Sequence, residues 1–215
     1  MKTVTFVGMG LALLGVAGCA NTERSRTLNN PDVPVKVTAQ QVCSNCHGID
    51  GNSISPNFPK LAGQQEAYFI AQLKGFRSHG RSDPEGFEYM WGISHNLTDE
   101  QIKGLAAYFA QQTPTPNPPV HAERISAGKE IFEKGIPSQN VPACEVCHGP
   151  QGKGNATFPR IADQHADYII KQLQVFKKTE ERPEGVAMKQ VTHALTDENM
   201  QAVAAYLNSM PVPVK

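Results

Sequence analysis

Two short cysteine clusters dominate the chemistry open to this 215-residue chain. One reads Cys43-Ser44-Asn45-Cys46-His47-Gly48, the other Cys144-Glu145-Val146-Cys147-His148-Gly149. On a helix, positions i, i+3 and i+4 share one face, so each cluster turns two thiols and an imidazole to the same side. C-x-x-C-H is the attachment pattern of c-type haem, in which the thiols bond the porphyrin and the histidine lies beneath the iron. Three rival chemistries use similar spacing. A four-cysteine zinc site could take both pairs, but it does not require the histidine and glycine that follow each. A thioredoxin-like dithiol wants a βαβ context, which the sequence lacks. Structural disulfides suit an exported chain and give no reason for the repeated histidine. The pattern therefore predicts two covalent haems c on Cys43, Cys46, Cys144 and Cys147, with His47 and His148 as iron ligands.

Each iron then needs a sixth ligand. Of Met90, Met188, Met200 and Met210, only Met90 and Met188 recur at matched places. Met200 matches Ile102 on a helix stripe and reads as core, while Met210, near the C-terminus, has no counterpart. A thioether is a soft ligand that stabilises Fe(II), as a high-potential electron carrier needs, so Met90 and Met188 are the expected ligands. His95 and His193 also recur, five residues after the methionines, and keep bis-histidine ligation open. His79, His121 and His165 lack a histidine counterpart and are expected at the surface.

These residues sit in a duplicated framework. Phe58-Pro59, Gln64, Tyr68 and Gln72-Leu73 reappear at offset 100, and His95, Leu97-Thr98-Asp99-Glu100 and Ala107-Tyr108 at offset 98. Such self-similarity marks two copies of one domain. Between them, residues 113–120 hold four prolines in eight positions, a stiff extended connector. Thr98 with Gln101 forms a capping box ahead of Ile102, Leu105, Ala106 and Phe109 at helical spacing. The matching helix starts at Thr196 and buries Met200, Val203, Ala204 and Leu207. Further helices are predicted over 66–76, 166–176 and 125–134, and no stretch alternates with period two, so both lobes are predicted all-α. Tyr68, Tyr168, Tyr108 and Tyr206 are expected to pack, and Trp91 to wall the haem pocket.

The first residues are expected to be an export signal. Residues 3–18 carry no charge and are too short for a membrane span. They end in Val16-Ala17-Gly18-Cys19, which resembles the bacterial lipobox, so lipidation of Cys19 is expected; an ordinary signal peptide with a chance cysteine is the alternative. The expected layout is a signal peptide over 1–18, a lipid-anchored polar tether over 19–37, domain 1 over 38–112, the linker over 113–120 and domain 2 over 121–215. Twenty basic against twenty acidic residues leave no basic block, which argues against nucleic acid and a polybasic membrane face. Aromatic residues, at 7%, are few for two cores, a deficit that two apolar macrocycles would fill.

From about residue 38 onward the chain resembles the cytochrome c4 family, periplasmic dihaem proteins with two class I cytochrome c lobes in one polypeptide. The residues that carry the likeness are CSNCHG, GNSISPNFPKLAG and LTDEQIKGLAAYF in the first lobe. In the second they are GIPSQNVPACEVCHG, FPRIADQHADYIIKQL and LTDENMQAVAAYL. The stretch between Phe76 and Met90 departs from the family pattern. The resemblance implies electron transfer by Fe(II)/Fe(III) cycling, His47 and His148 as proximal ligands, a methionine as each sixth ligand, and two haems close together. It also implies that Pro59 and Pro159 offer their carbonyls to the distal N–H of the proximal histidines; a turn before a helix would explain the same prolines. The implied setting is a Gram-negative periplasm, with a cytochrome bc complex as donor, a haem-copper oxidase or other reductase as acceptor, and no small-molecule substrate. The alternatives are an electron-accepting subunit of a flavocytochrome c type dehydrogenase, and a dihaem peroxidase.

Overall fold

A computed structural model describes residues 28–211, so the expected signal peptide and the expected lipid site at Cys19 lie outside the described residues. In the first lobe, α1 (Val35–Thr38) runs through a π-helical turn (Ala39–Cys43) into α2 (Ser44–His47), followed by α3 (Glu66–Arg77), α4 (Pro84–Ser94) and α5 (Asp99–Ala110). The second lobe repeats the order with α6 (Ile125–Lys134), α7 (Glu145–His148), α8 (Ala166–Lys178), α9 (Val186–Thr192) and α10 (Asp197–Ser209). Among the described residues only two isolated β-bridges interrupt an all-α fold.

The C-terminal helix of each lobe begins at a capping box. Thr98 Oγ1 accepts from the Gln101 N–H at 3.2 Å, and the Gln101 side chain accepts from the Thr98 N–H at 2.9 Å. Thr196 and Asn199 make the same reciprocal pair at 3.1 Å. From these starts α5 lays Ile102, Leu105 and Phe109 against Phe69 and Leu73 of α3, with the Phe69 and Phe109 rings 5.5 Å apart. In the second lobe α10 packs Val203, Ala204 and Leu207 against Phe132 of α6 and Ile169 of α8. Met200 is fully buried, as its place on the stripe implied, and Met210 also joins the core. Where α6 crosses α10, a Cβ on Gly128 would lie 1.9 Å from the Ala202 carbonyl oxygen, so only glycine allows that approach.

One boundary changes. Helix α1 starts inside the stretch expected to be tether, where Val33 is already buried and Leu28 packs on the first core. The stretch after Phe76 that departs from the family pattern supplies Arg81 and Asp83 to the seam between the lobes and then forms α4.

That seam has approximate two-fold symmetry. The Lys60 N–H donates to Gln164 Oε1 at 2.8 Å, and Gln164 Nε2 returns a bond to the Lys60 carbonyl at 3.0 Å. Arg160 and Gln64 make the mirror pair at 2.7 and 3.1 Å. Further along, Arg81 donates to Gln72 Oε1 at 2.7 Å and pairs with Asp83 at 2.6 Å. Its counterpart Arg182 reaches Gln172 at 2.5 Å, Gln72 at 2.8 Å and the Tyr68 hydroxyl at 3.2 Å. Tyr68, and Tyr168 with its hydroxyl 3.5 Å from Arg81 Nη2, therefore join this polar network in addition to the packing expected of them. His165 is likewise no surface residue: it is buried, with Nε2 2.8 Å from the Ser53 carbonyl of the other lobe. The proline-rich linker is fastened to both sides. Asn52 binds the backbone of Thr113 and Thr115, Asn117 binds Asp163, and Lys60 donates to the Thr115 carbonyl and pairs with Asp163 at 2.9 Å.

Candidate haem sites

Each cysteine motif lies on a helical turn, as the spacing requires. Cys43 closes the π-helical turn and Cys46 and His47 follow in α2, while Cys144 caps α7 and Cys147 and His148 lie within it. The glycine after each histidine has φ +79°, a left-handed conformation that ends the helix, and a Cβ at Gly48 would meet the Asn52 carbonyl oxygen at 2.7 Å. This geometry accounts for C-x-x-C-H being followed by Gly in both copies.

The histidines are held in one tautomer. His47 Nδ1 lies 2.9 Å from the Pro59 carbonyl, and His148 Nδ1 lies 3.0 Å from that of Pro159. A carbonyl only accepts, so Nδ1 carries the hydrogen and the lone pair is left on Nε2. Burial holds both imidazoles below the usual histidine range, against the opposing effect of the proline carbonyls. A neutral ring with a free Nε2 is what an iron ligand must be.

Burial pushes the Cys43 and Cys144 thiols up to about 11, and all four motif cysteines are unpaired. The two C-x-x-C pairs stand in different lobes, and among the described residues no three His, Cys, Asp or Glu side chains converge as a zinc site would need. Apolar side chains gather around the histidines instead. Phe58 stands edge-on to His47 at 6.1 Å and to Tyr89 of α4 at 5.8 Å, and Phe158 stands edge-on to His148 at 6.3 Å. Ile49, Tyr89, Val146, Phe158 and Val186 are exposed beside the motifs or on the methionine-bearing helices, apolar surface of the kind a flat macrocycle covers. The residues present therefore fit two haems c.

Helices α4 and α9, which no sequence pattern foretold, carry the two methionines. Met90 is half-buried against the first core, and Met188 is half-buried on α9. Behind them the buried Ser94 hydroxyl donates to the Met90 carbonyl at 2.6 Å, and Thr192 does the same for Met188 at 2.8 Å. His95 and His193 are both exposed, the latter with Nδ1 2.5 Å from the Gln190 carbonyl. Trp91, expected as pocket wall, stacks on His79 at 4.0 Å and donates to the Arg81 carbonyl at 2.8 Å. Sequence reasoning missed the seam contacts of Arg81 and Arg182 and the hydroxyl bonds of Ser94 and Thr192 within the methionine-bearing helices. Ser94 and Thr192 share the 98-residue offset of the methionines, a signal that was there to find.

The family model for cytochrome c matches residues 35–113 and again 125–211. A cytochrome c4 of Azotobacter vinelandii is 36% identical over 178 residues, covering 79% of this chain and 84% of its own length. The thiosulfate dehydrogenase electron acceptor of Stutzerimonas stutzeri is 34% identical over 174 residues, 78% of each protein. Among solved structures, reduced recombinant cytochrome c4 from Pseudomonas stutzeri superposes with a TM-score of 0.72 at 36% identity, over 81% of this chain and 97% of that one.

Proposed function

The chain belongs to the cytochrome c4 family of dihaem c-type electron carriers, which are not enzymes, and from this premise we propose that it relays electrons between periplasmic redox proteins with Met90 and Met188 as the sixth ligands. When bound, each haem supplies a reversible Fe(II)/Fe(III) couple. The protein's part is to hold and tune it. Pro59 and Pro159 fix the imidazoles with Nε2 free, and the capped C-terminal helices back the pockets with apolar side chains. Helices α4 and α9 bring a thioether toward each site, pinned from behind by Ser94 and Thr192. The observation that carries this reading is the repetition of a buried, proline-anchored histidine and a half-buried methionine in both lobes. The exposure of His95 and His193 supports methionine over bis-histidine ligation.

The proposed donor is a cytochrome bc complex and the proposed acceptor a haem-copper oxidase or another reductase, with the protein tethered through a lipid on Cys19. Among the described residues no helix is long and apolar enough to cross a membrane. Likeness to the thiosulfate dehydrogenase electron acceptor favours one second reading, in which a dehydrogenase feeds this chain directly.

Intact mass and absorbance test the site: two haems per chain, and a weak long-wavelength thioether-to-iron band in the ferric protein. Met90→Ala and Met188→Ala should each remove about half of that band. Retention of the band in both, with spectral change in His95→Ala or His193→Ala, overturns the ligand assignment. Stopped-flow mixing of the oxidised protein with a reduced bc complex, or with thiosulfate dehydrogenase plus thiosulfate, separates the two donors.

A further inference from the structure

Arg160 breaks the rule that a buried charge is paired. It is 3% exposed, yet only its Nη1 finds a partner, the Ala162 carbonyl, while Nε and Nη2 are buried without any hydrogen bond. A guanidinium carries five donors in a rigid fork, and leaving part of that fork unbound in a low-dielectric site is costly. Its local counter-charge is already taken: Asp163 gives Oδ2 to Lys60 and Oδ1 to the backbone of Asn117. The cluster therefore holds two buried cations, Lys60 and Arg160, and one buried anion, with the imidazole of His165 beside it. The less buried Asp50 acts on Lys60, and among the described residues no carboxylate forms an ion pair with Arg160.

Position says which anion fits. Arg160 directly follows Pro159, whose carbonyl orients the iron ligand His148, so it is fixed next to the second haem site. A haem c brings two carboxylate side groups, and the open Nε–Nη2 edge of a guanidinium matches a carboxylate with two parallel bonds. Lys60, at the equivalent place in the first lobe, has its ammonium committed to Asp163 and the linker. We infer that Arg160 is the bidentate partner of a carboxylate of the second haem, a contact with no equivalent from Lys60 in the first lobe.

A cation beside a haem carboxylate disfavours the ferric state, so its removal lowers the potential of that haem alone. Holoprotein of Arg160→Gln, with two haems verified by mass, should show one of its two redox waves lowered by a roughly tenfold change in the one-electron equilibrium, about 59 mV. Arg160→Lys should restore most of that shift, and Lys60→Gln should move neither wave comparably. The freed carboxylate should also make the shifted wave vary with pH near neutrality, on a background common to both proteins from the surrounding Lys60, Asp50, Asp163, His165 and Asp167. Titrating chloride and phosphate at fixed ionic strength distinguishes a free anion: waves of the wild type that follow either anion overturn the inference. Two unchanged waves in Arg160→Gln overturn it as well, as does an equal shift of both.

Discussion

The bond from His47 and His148 to a proline carbonyl leaves each ring a single nitrogen, Nε2, free for a metal. Each motif is complete in itself, so Cys144→Ala with Cys147→Ala should yield a protein with one haem, on Cys43 and Cys46, by intact mass and by haem absorbance per chain. Loss of both haems would show that maturation of one lobe depends on the other. The hydroxyls behind the methionines give a second residue-scale expectation. Ser94→Ala or Thr192→Val removes one partly buried hydrogen bond and should cost about 0.5–1.5 kcal/mol in denaturant unfolding, with the thioether band retained. The cysteines and histidines were legible because C-x-x-C-H is a short-range spacing, whereas the prolines, twelve and eleven residues on, were legible only through the family resemblance. The wrong reading of His165 had a physical reason: its carbonyl partner, Ser53, lies 112 residues away, and a lone histidine carries no mark of such a contact.

The helices carrying strong local signals were readable, and the others were not. The capping box at Thr98 places α5 from four residues, the repeat carries that reading to α10 at Thr196, and Thr98→Ala should lower stability by about 1 kcal/mol in thermal or denaturant unfolding. Helix α4, in contrast, contains two glycines and a mixed face, and it forms because Trp91 and Gly86 pack against the segment at Arg81 and Asp83. Such a helix is defined by tertiary contact rather than by periodicity. The crossing of α6 and α10 is the most sensitive element-scale junction. Gly128→Val pushes a branched side chain into the backbone of Ala202, so the second lobe should lose cooperative unfolding while the first keeps its own transition; two unchanged transitions would refute the crossing.

At the scale of the whole molecule, the repeated residues acquire a meaning that the repeat alone did not reveal. Gln64, Gln72 and Tyr68, with their copies, look like packing positions in a one-dimensional reading. In three dimensions they line the surface where the copies meet. Arg81 and Arg182 escaped because they differ by 101 positions, after the offset has slipped by one. Burial opposes the charge of Asp83, but hydrogen bonding and the charge of Arg81 hold its carboxyl below the usual range. A depressed carboxyl contributes stability above its unfolded value, near 3.9, that disappears as pH falls through the lower folded value. Lobe docking, followed by small-angle scattering or by coupling between the two unfolding transitions, should therefore hold at neutral pH and fail only below about pH 4. Asp83→Asn should weaken docking at neutral pH and flatten that acid dependence.

The fastened linker has a consequence for concentration. A polar seam of this kind between separate proteins would form and part according to how much of each was present. Joined by eight residues that themselves bind both faces, each lobe meets its partner at an effective concentration on the order of millimolar or above, however dilute the protein becomes. The pairing of the two redox centres is thus independent of expression level, and one chain arriving at a partner always brings both. Cutting the chain between Thr113 and Val120 would return the seam to mass action, and its two halves would drift apart on dilution.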